Sequence, residues 1–156
     1  MKQSKNMRRG FTIAEITVGV LVFVTVAVIG ISMMNPAGQL ARGRNSQRDS
    51  HINSILNAVR QNISDNRSGF SCGAGTIPTT TARMASTGAT STYNIAPCLI
   101  PTYLQKMPFD PSATGAHYGG VTDYDSAYSI LRNASSGQIT ISAPFAEAGK
   151  IIFITR

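Results

Sequence analysis

The residues able to do chemistry are few, and most lie near the start of the chain. Glu15 is the single charge within residues 11–31, FTIAEITVGVLVFVTVAVIGI. A lone carboxylate in such a run is costly in hydrocarbon, even on lenient insertion scales, so it needs a partner. Upstream, Lys2, Lys5, Arg8 and Arg9 place four cations and no acid in the first ten residues, which end at Gly10. Gly10 has no side chain, so another protein can approach the backbone closely there. Cys72 and Cys98 are the only cysteines. In an oxidising compartment a bridge between them would staple a long loop and contribute about 3 kcal/mol; the alternative is two buried thiols. Asp110, Asp123 and Asp125 lie near Gly119-Gly120. Asp123-Tyr124-Asp125 offers oxygens for calcium, against the plainer reading of Asx turns that cap a loop.

Other features carry less. His51 and His117 are far apart and have no further His or Cys beside them, which argues against a metal or catalytic site. Walker, GxSxG and HExxH motifs are absent, so the expectation is a protein that is not an enzyme. Sequons begin at Asn62, Asn66 and Asn133, a pattern short enough to arise by chance. Tyr93, Tyr103, Tyr118, Tyr124 and Tyr128 could form an adhesive or base-stacking surface, but such residues more often pack a loop on a sheet.

These residues need elements to position them. The 156 residues leave room for one domain and an appendage. Charged residues are 13% and hydrophobic ones 42%, so polarity comes mainly from Ser, Thr, Asn, Gln and Gly. The net charge of +7 is largely a property of the first ten residues; without them ten Lys and Arg face seven Asp and Glu, or +3. This balance does not favour nucleic acid as a partner.

Residues 11–31 are long enough to cross a bilayer as a helix. The basic flank predicts a cytoplasmic N-terminus with the remainder exported. Asn35-Pro36 interrupts the run. Beyond it Leu40 and the stripe Ile52, Ile55, Leu56, Val59 and Ile63 predict an amphipathic continuation over 36–68. The first half of the chain thus reads as one long helix, bent or locally melted at Pro36. Residues 69–117 are rich in Gly, Ser, Thr, Ala and Pro and read as a long loop with a short helix near 101–106. Strands are expected within 118–156, at 127–132, 138–145 and 150–156. The fold class is therefore α+β, a long N-terminal helix packed by a small C-terminal antiparallel sheet.

Arg8-Arg9-Gly10 followed by Phe11-Thr12-Ile13-Ala14-Glu15 and an unbroken apolar run resembles the leader of type IV pilins and type II secretion pseudopilins. The match covers about residues 5–35, and the order helix, loop and strands is similar to that family's. The resemblance implies cleavage by a prepilin peptidase between Gly10 and Phe11, with 1–10 as the leader, and N-methylation of Phe11. Glu15 would then pair with the freed amine of a neighbouring subunit, and 11–35 would become the filament core. The implied partners are a homo- or hetero-oligomeric filament of pilins, the peptidase, the assembly platform and the membrane. The implied location is the bacterial inner or cytoplasmic membrane, then an extracellular or periplasmic filament. Major pseudopilins bind calcium in a loop near the aspartates above, but this chain lacks their longer acidic loop. Two other readings remain: a minor pilin of a DNA-uptake machine that binds DNA through its C-terminal domain, and a plain single-pass anchor. An ordinary secretory signal is disfavoured, because Asn35-Pro36-Ala37 makes a poor cleavage site.

Overall fold

The computed structural model describes residues 10–33, 35–67, 69–86 and 91–156, so Lys2, Lys5, Arg8 and Arg9 lie outside the described residues. The chain divides into two units, one ending at Ala37 and one running from Gly38 to Arg156.

The first unit is built on α1, Ile13–Met33. Its mean hydropathy is 2.4 over Ile13–Ile31, and it is long and apolar enough to cross a membrane. Val and Ile are abundant in it. Their stiffness at χ1 slightly lowers helix propensity in water, but in lipid each backbone polar group must be paired within the segment, and a single helix does that. The helix that follows, α2, spans Pro36–Asp65. Pro36 therefore stands at its first position, where a missing N–H costs nothing and a fixed φ suits the turn.

In the second unit α2 lays its stripe into the core. Ile52, Ile55, Leu56 and Val59 are buried together with Tyr124, Tyr128, Ile130 and Ile141 of the sheet. Leu40 belongs to no such stripe and is 63% exposed. The buried face continues toward the helix start as Asn45 and Arg48, and with Asn62 three of its nine buried residues are polar.

Among the described residues the sheet has six strands: β1 Ala82–Ala85, β2 Thr92–Tyr93, β3 His117–Gly120, β4 Asp123–Arg132, β5 Ile139–Ala143 and β6 Ile152–Thr155. Its order is β2-β1-β4-β5-β6, with β3 also paired to β4. Antiparallel pairing joins β4 to β5 and β5 to β6, with Ile130, Ile141 and Ile154 in register. β5 shows period-two burial, with Ile139, Ile141 and Ala143 inward and Thr140 and Ser142 outward.

Three expectations need correction. The segment 69–117 is not only loop: it supplies β1 and β2, and β1 pairs with β4. The sheet is also not purely antiparallel, because β1 and β2 run parallel. Ala-Arg-Met-Ala has little strand character alone, and burial against β4 overrides that propensity. The short helix lies earlier than expected, at Ala96–Leu99 (α3), rather than at 101–106. Pro97 is tolerated in its first turn, while Pro101 disfavours helix at the residue before it.

Candidate functional site

Glu15 lies in the first turn of α1, and its neighbours explain its placement. The Thr12 amide and hydroxyl both donate to Glu15 Oε2, at 2.8 and 2.9 Å. In return the Glu15 amide donates to Thr12 Oγ1 at 3.3 Å. This is a capping box, Thr-x-x-Glu before an apolar run, which satisfies donors that the first helical turn leaves open. The motif is legible in the sequence, but attention to Glu15 as a charge obscures it as a cap. The carboxylate also sits at the N-terminal, positive end of the helix dipole.

Just upstream, Gly10 and Phe11 are exposed, with Phe11 at 84%. A Cβ added at Gly10 would meet nothing within 4 Å, so among the described residues no neighbour crowds that position. Along α1 the side chains of Ile16, Val20, Leu21 and Val24 are all more than half exposed. The hydroxyls of Thr17 and Thr25 donate to the carbonyls of Ala14 and Val22, at 2.9 and 2.8 Å. Each is thereby satisfied within its own helix, as an apolar surrounding demands.

The three aspartates considered for calcium are directed elsewhere. Asp110 accepts from Arg48 Nε at 2.7 Å and Nη2 at 2.9 Å, and both side chains are fully buried. The Ser112 and Ala113 amides add two more bonds to it. Burial pushes the Asp110 carboxyl up, but the bonds from Arg48, Ser112 and Ala113 outweigh burial and hold it below its ordinary value. Asp123 faces His117 Nε2 at 3.1 Å, and Asp125 faces Arg83 Nε at 2.7 Å. The carboxylates thus go to three different side chains, and among the described residues no three His, Cys, Asp or Glu gather as a metal site would require.

The Arg48–Asp110 pair belongs to a larger network on the first half of α2. Arg44 pairs with Glu147 at 2.8 Å, and Asn45 both donates to the Glu147 carbonyl and accepts from its amide. Lys150 pairs with Asp49 at 2.7 Å. Through these bonds the β5–β6 turn and residues 110–113 are fixed to the helix.

Cys72 and Cys98 form a disulfide, with Cα atoms 5.1 Å apart. Asn62 of α2 clasps both sides of it, donating to the carbonyls of Ser71 and Cys98 and accepting from the Ser71 amide. Because Asn62 is 4% exposed, the first sequon is inaccessible in the folded chain. The tyrosines pack rather than display themselves: Tyr93, Tyr124 and Tyr128 are buried. The Tyr124 hydroxyl accepts from the Ile95 and Ala96 amides and so caps α3, while burial pushes its own pKa up to about 12. His51 Nδ1 lies 2.9 Å from the Tyr128 hydroxyl, and burial holds this imidazole below its ordinary pKa.

No family model, no curated protein and no solved structure matches this chain.

Proposed function

We propose that this chain is the precursor of a pilin-like filament subunit, cut between Gly10 and Phe11 and assembled through α1. The observation that carries the reading is the junction itself. An exposed glycine that no described neighbour crowds follows a basic leader sequence, directly before an apolar helix whose only charge is Glu15. A peptidase at the membrane surface would supply the need for glycine, and anionic lipid would hold the leader at the cytoplasmic face. After the cut, the new Phe11 ammonium would be the natural counter-charge for Glu15 of a neighbour. The separately folded second unit would then decorate the filament.

One observation favours a second reading, a plain single-pass anchor. Glu15 is already hydrogen-bonded by Thr12, so its placement in α1 does not depend on a second chain. Those partners are neutral, however, and leave the charge itself uncompensated.

Intact-mass and N-terminal analysis of protein recovered from its native membrane decides between them. The filament reading expects a chain that begins at Phe11 and carries one added methyl. A chain beginning at Met1 in cells with an active prepilin peptidase would establish the anchor instead. Glu15→Ala should leave cleavage intact and sharply reduce filament yield; normal yield would remove the proposed pairing.

A further inference from the structure

The second unit holds an imbalance of charge that the filament reading does not use. All six of its carboxylate side chains are engaged. Asp49, Asp110, Asp125 and Glu147 pair with Lys or Arg, Asp123 pairs with the His117 ring, and Asp65 lies beside the Tyr103 hydroxyl. Five arginines, Arg42, Arg60, Arg67, Arg132 and Arg156, carry no ion pair among the described residues. Arg42 lies near the start of α2, and Arg60 lines a separate surface patch with Asn57, Gln61 and Ser64, whereas Arg67, Arg132 and Arg156 lie on or beside segments that meet at one end of the sheet. There a cleft of about 260 Å³ opens between the end of α2, residues 69–77 and the β4–β5 turn.

The cleft is two-sided in character. Its walls include Ile63, Phe70, Ile77 and Ile139, and its rim includes Arg132. Arg132 is paired in register with Ile139. Arg156 exchanges both backbone hydrogen bonds with that same Ile139, at 2.7 and 3.0 Å. Residues paired across strands in this way project from the same face, so Arg132 and Arg156 flank Ile139 on the side that closes the cleft. Arg132 Nη2 lies 3.9 Å from where a Cβ on Gly137 would be, which sets the guanidinium over the turn. Arg67 is in the turn just before Gly69, and no carboxylate side chain lines the cleft.

We propose that this cleft binds the C-terminus of a peptide that ends in an apolar residue. The last side chain would enter between Ile63, Phe70, Ile77 and Ile139, and the terminal carboxylate would rest on Arg132 and Arg156 at the rim. Three features select this ligand. The Gly69 and Gly137 amides that line the cleft are spent on Asn66 and Asn133, so these amides leave the anion to the arginine rim. The volume falls below the roughly 300–1,000 Å³ of sites for larger ligands, which suits one side chain and is short for a fatty acyl chain. A free amino acid would bring its ammonium against the arginines, whereas a peptide carries a neutral amide at that point. The guanidinium fork matches a carboxylate in two parallel bonds. The inference stands on the second unit alone and does not need the filament reading.

The test uses the full chain in detergent and fluorescence anisotropy of a short labelled peptide that ends in leucine. Binding is expected for the free carboxylate, and weaker binding by roughly tenfold or more for the amidated peptide. Arg132→Ala should cause a similar loss and Arg132→Lys a smaller one. Arg42→Ala, an unpaired arginine near the start of α2, should leave binding unchanged. Arg132 is exposed, so an unaltered thermal transition will show that its variants still fold. Equal binding of the amidated peptide would overturn the proposal, as would an equal loss from Arg42→Ala, which indicates diffuse charge attraction. No binding at millimolar peptide, or binding of polyphosphate or free leucine in its place, would overturn it too.

Discussion

At the scale of single residues, the buried Arg48–Asp110 pair has the most at stake. Two fully buried charges have given up their water, and their mutual hydrogen bonds return much of that loss. Removing one partner leaves the other uncompensated, so Arg48→Ala should destabilise the second unit by about 3–5 kcal/mol. Chemical denaturation of wild type and variant would measure it, and a loss within experimental error would show that the site rehydrates freely. The pair also sets a pH response. Asp110 is held below its ordinary value of 3.8, so its contribution is complete above that value and is lost as pH falls through the depressed pKa. His51 is held below 6.5 by burial, so its contribution is complete above 6.5 and fades as pH falls toward its folded pKa. His117 is raised and acts in the opposite sense, but its pair with Asp123 is exposed and counts for less. Stability should therefore decline in two stages on acidification, the first flattened by His51→Gln. Denaturation midpoints across the pH range would reveal the stages; a single stage in wild type would remove the role of His51.

At the scale of elements, the disulfide and Asn62 hold the excursion between α2 and β3 in place. The bridge spans a sequence separation of 26 and ties α3 to the segment leaving α2. Reduction or Cys72→Ser with Cys98→Ser should cost about 3 kcal/mol by the loop-entropy argument. Because Asn62 still clasps Ser71 and Cys98 by hydrogen bonds, local opening should begin at β1 and β2 rather than at β4. Hydrogen exchange on the reduced protein checks this: faster exchange at β1 and β2, with β4 and β5 still protected, is the expected pattern. The elements also show what sequence can and cannot convey. The stripe 52, 55, 56 and 59 announces α2's packing face, and Gln138-Ile139-Thr140-Ile141-Ser142 announces β5, because their periods match the local geometry. β1 and β2 escape notice because their few residues have no pattern of their own and become strands only when β4 lies beside them. Arg48, Asn45 and Asn62 escape for a related reason: polar residues on a helix read as solvent-facing until their partners, up to a hundred positions away, are known.

At the scale of the whole chain, two units with opposite needs share one polypeptide. The first unit leaves Phe11, Ile13, Val18, Phe23 and Ile31 more than 60% exposed, an apolar surface of a kind that monomeric soluble proteins rarely carry. The unit from Gly38 onward has its own core, with Ile55, Val59, Met84, Ile95, Tyr128, Ile130 and Ile141 essentially inaccessible. Its solubility is helped by a side-chain charge of +4, ten cations against six acids within 38–156. If that division is right, a chain beginning at Pro36 should fold without detergent. It should run as a monomer on size exclusion, with one cooperative thermal transition that responds to reduction of the Cys72–Cys98 bridge. The chain from Phe11 should need detergent or lipid to stay dispersed, and Val20→Asp or Val24→Asp within it should relieve that need only in part, because one charge cannot offset so broad an apolar surface. A shortened chain that aggregates or lacks a transition would mean that the second unit relies on α1. The filament reading would then lose its premise, since a subunit must present a finished outer domain while its helix is still in the membrane.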